Sequence, residues 1–189
     1  MGWDDTFVEF PQIETSRLRL RELNVQDATR LYHYLSKKNV VEHYDIEALT
    51  SYQEAVDIIE NLFFRYQSRR QIRWGITLKG EEELIGTCGF HSLDEQHLKV
   101  EIGYDLDSEY WGKGYMTEAV GKVVEYGFNE MELNRIEAFY FPLNYASKRV
   151  LEKNGFIEEG LLRKRFYSKD KYMDAFICSI LKEDRRGGL

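Results

Sequence analysis

The 189-residue sequence is poor in residues that cross-link or punctuate a chain: it has two cysteines and two prolines. Cys88 and Cys178 sit in apolar stretches without metal-ligand spacing, which points to buried free thiols in a reducing compartment and to no metal site. With so little proline, and with no internal repeat, low-complexity tract or linker, nothing marks a hinge between domains. Positive charge is also short. Lys and Arg number 26 against 33 Asp and Glu, a formal charge of -7 and the reverse of the footprint of a nucleic-acid binder. That balance mildly favours a cationic substrate, although an acidic surface most often serves solubility alone. Residues Met1 to Asp5 offer neither a basic region nor an apolar run, so neither signal peptide nor membrane anchor is expected, and cytoplasm follows by elimination.

What is present is a globular balance, 43% hydrophobic and 31% charged, on a length that suits one core. Residues 8–182 are expected to form a single domain. The charged, then glycine-rich stretch 183–189 is expected to fray.

Arg17-Leu18-Arg19-Leu20-Arg21 alternates with the period of a half-buried strand. Asn24 reads as an N-cap with Asp27 in the first turn of a helix carrying Ala28, Leu31, Tyr32 and Leu35. Ser51 and Glu54 form a capping box ahead of Ala55, Ile58, Ile59, Leu62 and Phe63, for a second helix to about Arg69. Arg73–Leu78, Leu84–His91 and Val100–Leu106 read as strands joined by brief turns, hence antiparallel. From Thr117 the period is helical, with Ala119, Val120, Val123, Val124 and Phe128 on one face, before a strand at Ile136–Phe141 that suggests parallel pairing. A short helix Tyr145–Asn154 stops at Gly155, and strands near Phe156–Leu162 and Tyr172–Leu181 follow. The expected fold class is therefore α/β (α+β), with a mixed, mostly antiparallel sheet of about seven strands.

The most informative stretch joins Glu101-Ile102-Gly103-Tyr104 to Tyr110-Trp111-Gly112-Lys113-Gly114-Tyr115-Met116-Thr117. It runs from a strand to a helix through two glycines. Helix-entry amides lack partners, so such an entry either seats a pyrophosphate on the backbone or merely makes a tight turn. The P-loop pattern is absent, and a dinucleotide fingerprint would need a third glycine where Thr117 stands.

Those residues, with Glu118-Ala119, resemble the acetyl-CoA pyrophosphate loop of the GNAT superfamily, in the branch of the bacterial ribosomal-protein N-terminal acetyltransferases. Glu14 to Arg21 is similar to that branch's opening strand, Glu101 to Tyr104 to its central strand, and Asn144-Tyr145-Ala146-Ser147 with Val150 to Phe156 and Glu159-Gly160 to its last cofactor segment. The resemblance spans Pro11 to Leu181 in order. It implies a sheet splayed at the centre with helices on both faces, acetyl-CoA as cofactor with CoA as product, and an amine acceptor. That acceptor is a protein N-terminus, or alternatively a polyamine or other small amine. No nucleic acid and no membrane are implied, a homo-oligomer stays open, and so does a non-catalytic acyl-CoA sensor.

By the same resemblance Ile102, Gly103, Tyr104, Trp111, Gly112, Lys113, Gly114, Tyr115, Met116, Thr117, Asn144 and Ser147 bind cofactor. Ser147 would return a proton to the departing thiolate, although it reads equally as an ordinary first-turn residue. Asn144, counted with Ser147 and Glu101 among the catalytic candidates, reads most simply as a helix N-cap. Glycine at 103 suits a bulge or close ligand approach, or plain strand pairing. Two departures stand out. Glu109 occupies a place where the superfamily commonly has Arg or Gln, and Arg163 to Tyr167 lacks a glutamate that some relatives are thought to use. Glu101 is left as base candidate by elimination, its plainer reading being an exposed strand residue. His91 and His97 flank the preceding hairpin and are lesser candidates, a lone surface histidine usually being just that.

Overall fold

A computed structural model describes residues 5–187. Its elements run β1 (Ile13–Glu14), β2 (Leu18–Arg21), α1 (Ala28–Leu35), α2 (Lys38–Val41), α3 (Tyr52–Gln67), β3 (Ile72–Leu78), β4 (Leu84–Asp94) and β5 (Lys99–Leu106). Then come α4 (Tyr115–Asn129), β6 (Arg135–Tyr140), α5 (Tyr145–Lys153), β7 (Ile157–Ser168) and β8 (Lys171–Leu181). The strands form one sheet in the order β1-β2-β3-β4-β5-β6-β8-β7, antiparallel throughout except for β5 with β6. The eighth strand, beyond the seven expected, is β1. Two residues are too few to leave a period in a sequence.

Alternation on the strands sorts side chains between two faces. Trp74 and Phe90 point to the face covered by α4, where Trp74 packs edge-on against Phe90 and Tyr126. The expected stripe of Ala119, Val120, Val123, Val124 and Phe128 is buried there. Burying each larger member of the stripe is worth roughly 1.5–3 kcal/mol. Helices α1 and α3 cover the opposite face through a second apolar cluster that includes Leu31, Tyr34, Ala55 and Ile59. Helix α1 is entered through a 3-10 turn whose capping box pairs Asn24 with Asp27, and Ser51 caps α3 through the Glu54 amide.

On that second face a polar knot replaces oil. The buried carboxylate of Asp105 accepts from Tyr34 Oη, Arg73 Nη2 and Thr87 Oγ1, each at 2.6 Å, and from the Thr87 amide at 3.1 Å. Burial, and next the neighbouring Asp105 charge, push the Tyr34 hydroxyl well up, so it remains a donor. Two residues on, the fully buried Asp107 carboxylate meets Lys37 Nζ at 2.8 Å and Arg30 Nη2 at 3.0 Å. The end of β5 is thus tied to α1 and to the start of α2.

The tie matters because beyond Glu101 β5 has no strand partner on its other side. Strands β5 and β6 pair only at Lys99–Glu101 with Arg135–Glu137, and beyond Glu101 they part. Opposite the parting, β7 and β8 form a long hairpin whose tip, Lys169-Asp170, is left-handed at both residues. Lys169 Nζ donates to the carbonyls of Val41 (2.7 Å) and Glu42 (3.3 Å) at the end of α2. Of the stretch expected to fray, Asp184–Gly187 make a 3-10 turn, and residues 188 and 189 lie outside the described residues. Among the described residues no helix is long and apolar enough to cross a membrane.

Removing one partner of a buried ion pair strands the other charge. Arg73→Met should therefore destabilise the protein by about 3–5 kcal/mol in urea denaturation, and Arg73→Met with Asp105→Leu should recover part of the loss. A single variant as stable as wild type would show that the knot contributes nothing to holding β5.

Candidate active site

Where β5 and β6 part, a cleft of about 770 Å³ opens. One wall is β5, with Glu101, Ile102, Gly103 and Tyr104. A second is the glycine loop and the start of α4, with Trp111, Gly112, Gly114, Tyr115, Met116 and Thr117. Asn144 and Ser147 of the α5 entry form a third. Lys113 stands outside this lining: its ammonium lies 5.1 Å above the Tyr110 ring, and its carbonyl accepts from Arg17 Nη1 at 3.0 Å.

The loop is shaped by backbone that side chains rarely tolerate. Gly112 and Gly114 have φ of 74° and 79°, and Gly114 is the N-cap of α4, which begins two residues before the expected Thr117. Glu118 is the first helical residue whose amide finds a carbonyl, that of Gly114 at 3.1 Å. The amides of Tyr115, Met116 and Thr117 precede it at a helix start, where orphan donors and the dipole favour an anion. A Cβ at Gly112 would meet nothing within 4 Å, so the backbone there is open to a close approach. These features fit a pyrophosphate-bearing cofactor.

Glu118 fastens the loop to the chain's opening segment. Its carboxylate accepts from Thr15 Oγ1 (2.6 Å), Ser16 Oγ (3.0 Å), the Arg17 amide (3.0 Å) and Arg17 Nε (2.6 Å). The Arg17 guanidinium also lies 4.7 Å from the centre of the Tyr115 ring. Burial works against the Glu118 charge, yet these hydrogen bonds win and hold the carboxyl at about 2. Trp111 closes the other end of the loop by donating Nε1–H to the Leu106 carbonyl at 2.8 Å. The departure at Glu109 has a local reason: its carboxylate meets Lys37 Nζ at 3.0 Å and His33 Nε2 at 3.4 Å, bracing the loop against α1 and the residues after it.

On β5 the pairing with β4 stays in register from Gly86 to His91, so Gly103 makes no bulge. Crowding explains the glycine better, since a Cβ there would lie 3.3 Å from Arg73 Nη1 and 3.4 Å from His91 Cε1. Asn144 is the α5 N-cap, its Oδ1 accepting the Ser147 amide at 3.0 Å. Tyr104 Oη lies 2.8 Å from Ser147 Oγ. Glu101 is mostly buried rather than exposed, and its carboxylate lies 3.4 Å from His91 Nε2. Burial would raise the Glu101 carboxyl, but hydrogen bonds from His91 and Ser92 bring it below its ordinary range. His97 does not line the cleft and pairs with Asp94 at 3.1 Å on the exposed turn.

Several lining residues escaped sequence reasoning. Phe166 of β7 packs edge-on to Phe139 and Phe141, at 5.7 and 6.0 Å, so the segment noted for its missing glutamate supplies an aromatic wall instead. Glu42, His43, Tyr44 and Asp45 enter from the end of α2, and Tyr44 Oη donates to the Tyr104 carbonyl. The one available signal was Phe139 and Phe141 at alternate positions, facing away from the α4 core.

The fold that holds this parted strand and glycine-entered helix superposes on a GNAT-family acetyltransferase of Bacillus anthracis at a TM-score of 0.81 and 29% identity, over 92% of this chain and 99% of that one. The acetyltransferase (GNAT) domain model matches residues 17–157, and the chain belongs to that family. It is 42% identical over 173 residues to YoaA, an uncharacterised N-acetyltransferase of Bacillus subtilis (strain 168), covering 92% of this chain and 98% of YoaA. YdaF of the same organism, provisionally named a ribosomal N-acetyltransferase, is 34% identical over 169 residues, 89% of this chain and 87% of YdaF. Among solved structures, the ribosomal L7/L12 alpha-N-protein acetyltransferase RimL with coenzyme A superposes at a TM-score of 0.82 and 20% identity, a likeness of fold, over 90% of this chain and 98% of RimL. The protein is thus an acetyl-CoA-dependent N-acetyltransferase of the GNAT family.

A carboxyl held low in the fold stabilises it above its free value and ceases to do so as acid protonates it. The melting-temperature gap between wild type and Glu118→Gln should therefore be full above pH 4.5 and close as pH falls towards about 2. A gap independent of pH across that window would show that the carboxylate charge is not what fastens the loop.

Proposed function

We propose that the protein transfers an acetyl group from acetyl-CoA to a protein N-terminal α-amine, by direct attack in a ternary complex. The observation that carries this reading is the continuity of one cleft from the orphan amides of α4, past the parted edge of β5, to the carboxylates of Glu101, Glu42 and Asp45. The likeness to YdaF supports a ribosomal-protein acceptor. The carboxylates equally suit a small polyvalent amine, which makes a polyamine the second reading.

Acetyl-CoA supplies the activated thioester. The amides of Tyr115, Met116 and Thr117, with Gly112 and Gly114, would hold the pyrophosphate, and Trp111 and Asn144 would border the cofactor, while Lys113, outside the lining, takes no part. Alternate amides of Ile102 to Leu106 on the edge left by β6 have no ladder partner, and they would face the negative charge that develops on the acetyl oxygen. Glu101, with His91 beside it, would take the proton from the amine directly or through water, which a carboxylate held in its charged form can begin. Ser147 would donate to the leaving sulfur.

Acceptor screening with thiol detection, across N-terminal peptides and polyamines, decides the substrate class. Release of CoA with peptides supports the first reading, release only with polyamines supports the second, and CoA binding without turnover on any amine would favour a sensor. The loop has its own test. Gly114→Val should weaken CoA binding at least tenfold, about 1.4 kcal/mol, and also lower the melting temperature because φ is positive. Gly80→Val, at an exposed turn with φ of 87°, carries the same backbone strain and should leave CoA affinity unchanged. Equal CoA affinity in both folded variants would remove the loop from cofactor binding.

A further inference from the structure

A serine hydroxyl has one proton, and the direction of that proton decides what the serine can do. Tyr104 Oη lies 2.8 Å from Ser147 Oγ and 3.3 Å from the Ser147 carbonyl. Two arrangements are open. If Tyr104 donates to the carbonyl, it accepts the Ser147 proton, which is then spent inside the protein. If Tyr104 donates to Oγ, the Ser147 proton turns outward into the cleft.

Three features favour the second. The Oγ contact is the shorter. Ser147 lies in the first turn of the nine-residue helix α5, so its carbonyl already serves the amide one turn on. Asn144 Oδ1 fixes the Ser147 amide, which leaves the hydroxyl as the group still free to choose. Tyr104 is itself held at both ends: its ring packs against the main core and Tyr44 occupies its carbonyl. Burial pushes the Tyr104 hydroxyl up, so it stays a donor across the neutral range.

We propose that Tyr104 is a positioning residue: its hydroxyl donates to Ser147 Oγ and thereby aims the Ser147 proton at the cofactor sulfur. The proposal rests on the reading of the cleft as the acetyl-CoA site, and it gives the Tyr104 side chain a task beyond that expected of its backbone. No proton leaves Tyr104. The residue orders a hydrogen bond to the thiol or thiolate sulfur.

The experiment compares CoA with desulfo-CoA, an analogue lacking the sulfur, on wild type, Tyr104→Phe, Ser147→Ala and the double variant, all checked for unchanged melting. Tyr104→Phe should weaken CoA by about five- to tenfold, the size of one neutral hydrogen bond, and leave desulfo-CoA unchanged. Ser147→Ala should do the same, and the double variant should lose no more than either alone. In a pH titration of the ultraviolet thiolate absorbance of bound CoA, the midpoint should rise in Tyr104→Phe, a signature that packing would not move. Equal weakening of CoA and desulfo-CoA, or losses that simply add in the double variant, would overturn the positioning role while leaving the cofactor site standing. Wild type binding neither ligand would overturn the site and the proposal together. Should Tyr104→Phe fail to fold, Ser147→Ala decides: an unchanged preference for CoA over desulfo-CoA overturns the proposal, and its loss supports it.

Discussion

The carboxylate of Asp105, sealed under α1, is the interaction on which the cleft depends. A central strand abandoned by one neighbour would ordinarily curl or close, because unpaired backbone seeks partners. Here the free half of β5 is held from β4 along its length and from α1 through Asp105 and, a step further, Asp107. The opening between strands is therefore maintained by charge and hydrogen bonding on one face of the sheet, while apolar packing under α4 secures the other. Both carboxylates are compensated within the protein, as burial of charge demands.

The framework of this arrangement was legible in the sequence, because it rests on local physics. Alternation located β2 to β6, helical spacing located α1, α3 and α4, and the turn chemistry at Asn24, Ser51 and Gly155 reappears as caps. What escaped was long-range. Phe166 meets Phe139, and Tyr44 meets Tyr104, only because the fold brings distant segments together. Asp105 in β5 and Asp107 just beyond its end carry no local mark of their role, and their partners Tyr34, Arg30 and Lys37 lie in α1 and at the start of α2 without any periodic mark. The same holds at the site, where the loop and β5 were readable and the wall supplied by the end of α2 was not.

Glycine at 112 and 114 and acid at 118 form one device. The glycines leave the helix entry bare, and the acid, bonded to Thr15, Ser16 and Arg17, supplies from a distance the rigidity that glycine gives up. Phosphate-binding turns need both properties, since a loose loop would surrender in ordering entropy much of what it gains in contacts.

The order of strands bears on how the chain is made. Strand β8 lies between β6 and β7, so a strand that follows both in the chain must enter the sheet beside one made some forty residues earlier. Until it docks, Arg135–Tyr140 present an open edge, the kind of surface on which nascent chains misassociate. Arg135 and Glu137 occupy that edge as a charged pair, and Arg135 later takes Glu159 of the arriving hairpin. The same residues that join the finished sheet thus place charge on its open edge, and the cleft wall carrying Phe166 is seated only once the β7–β8 hairpin has docked.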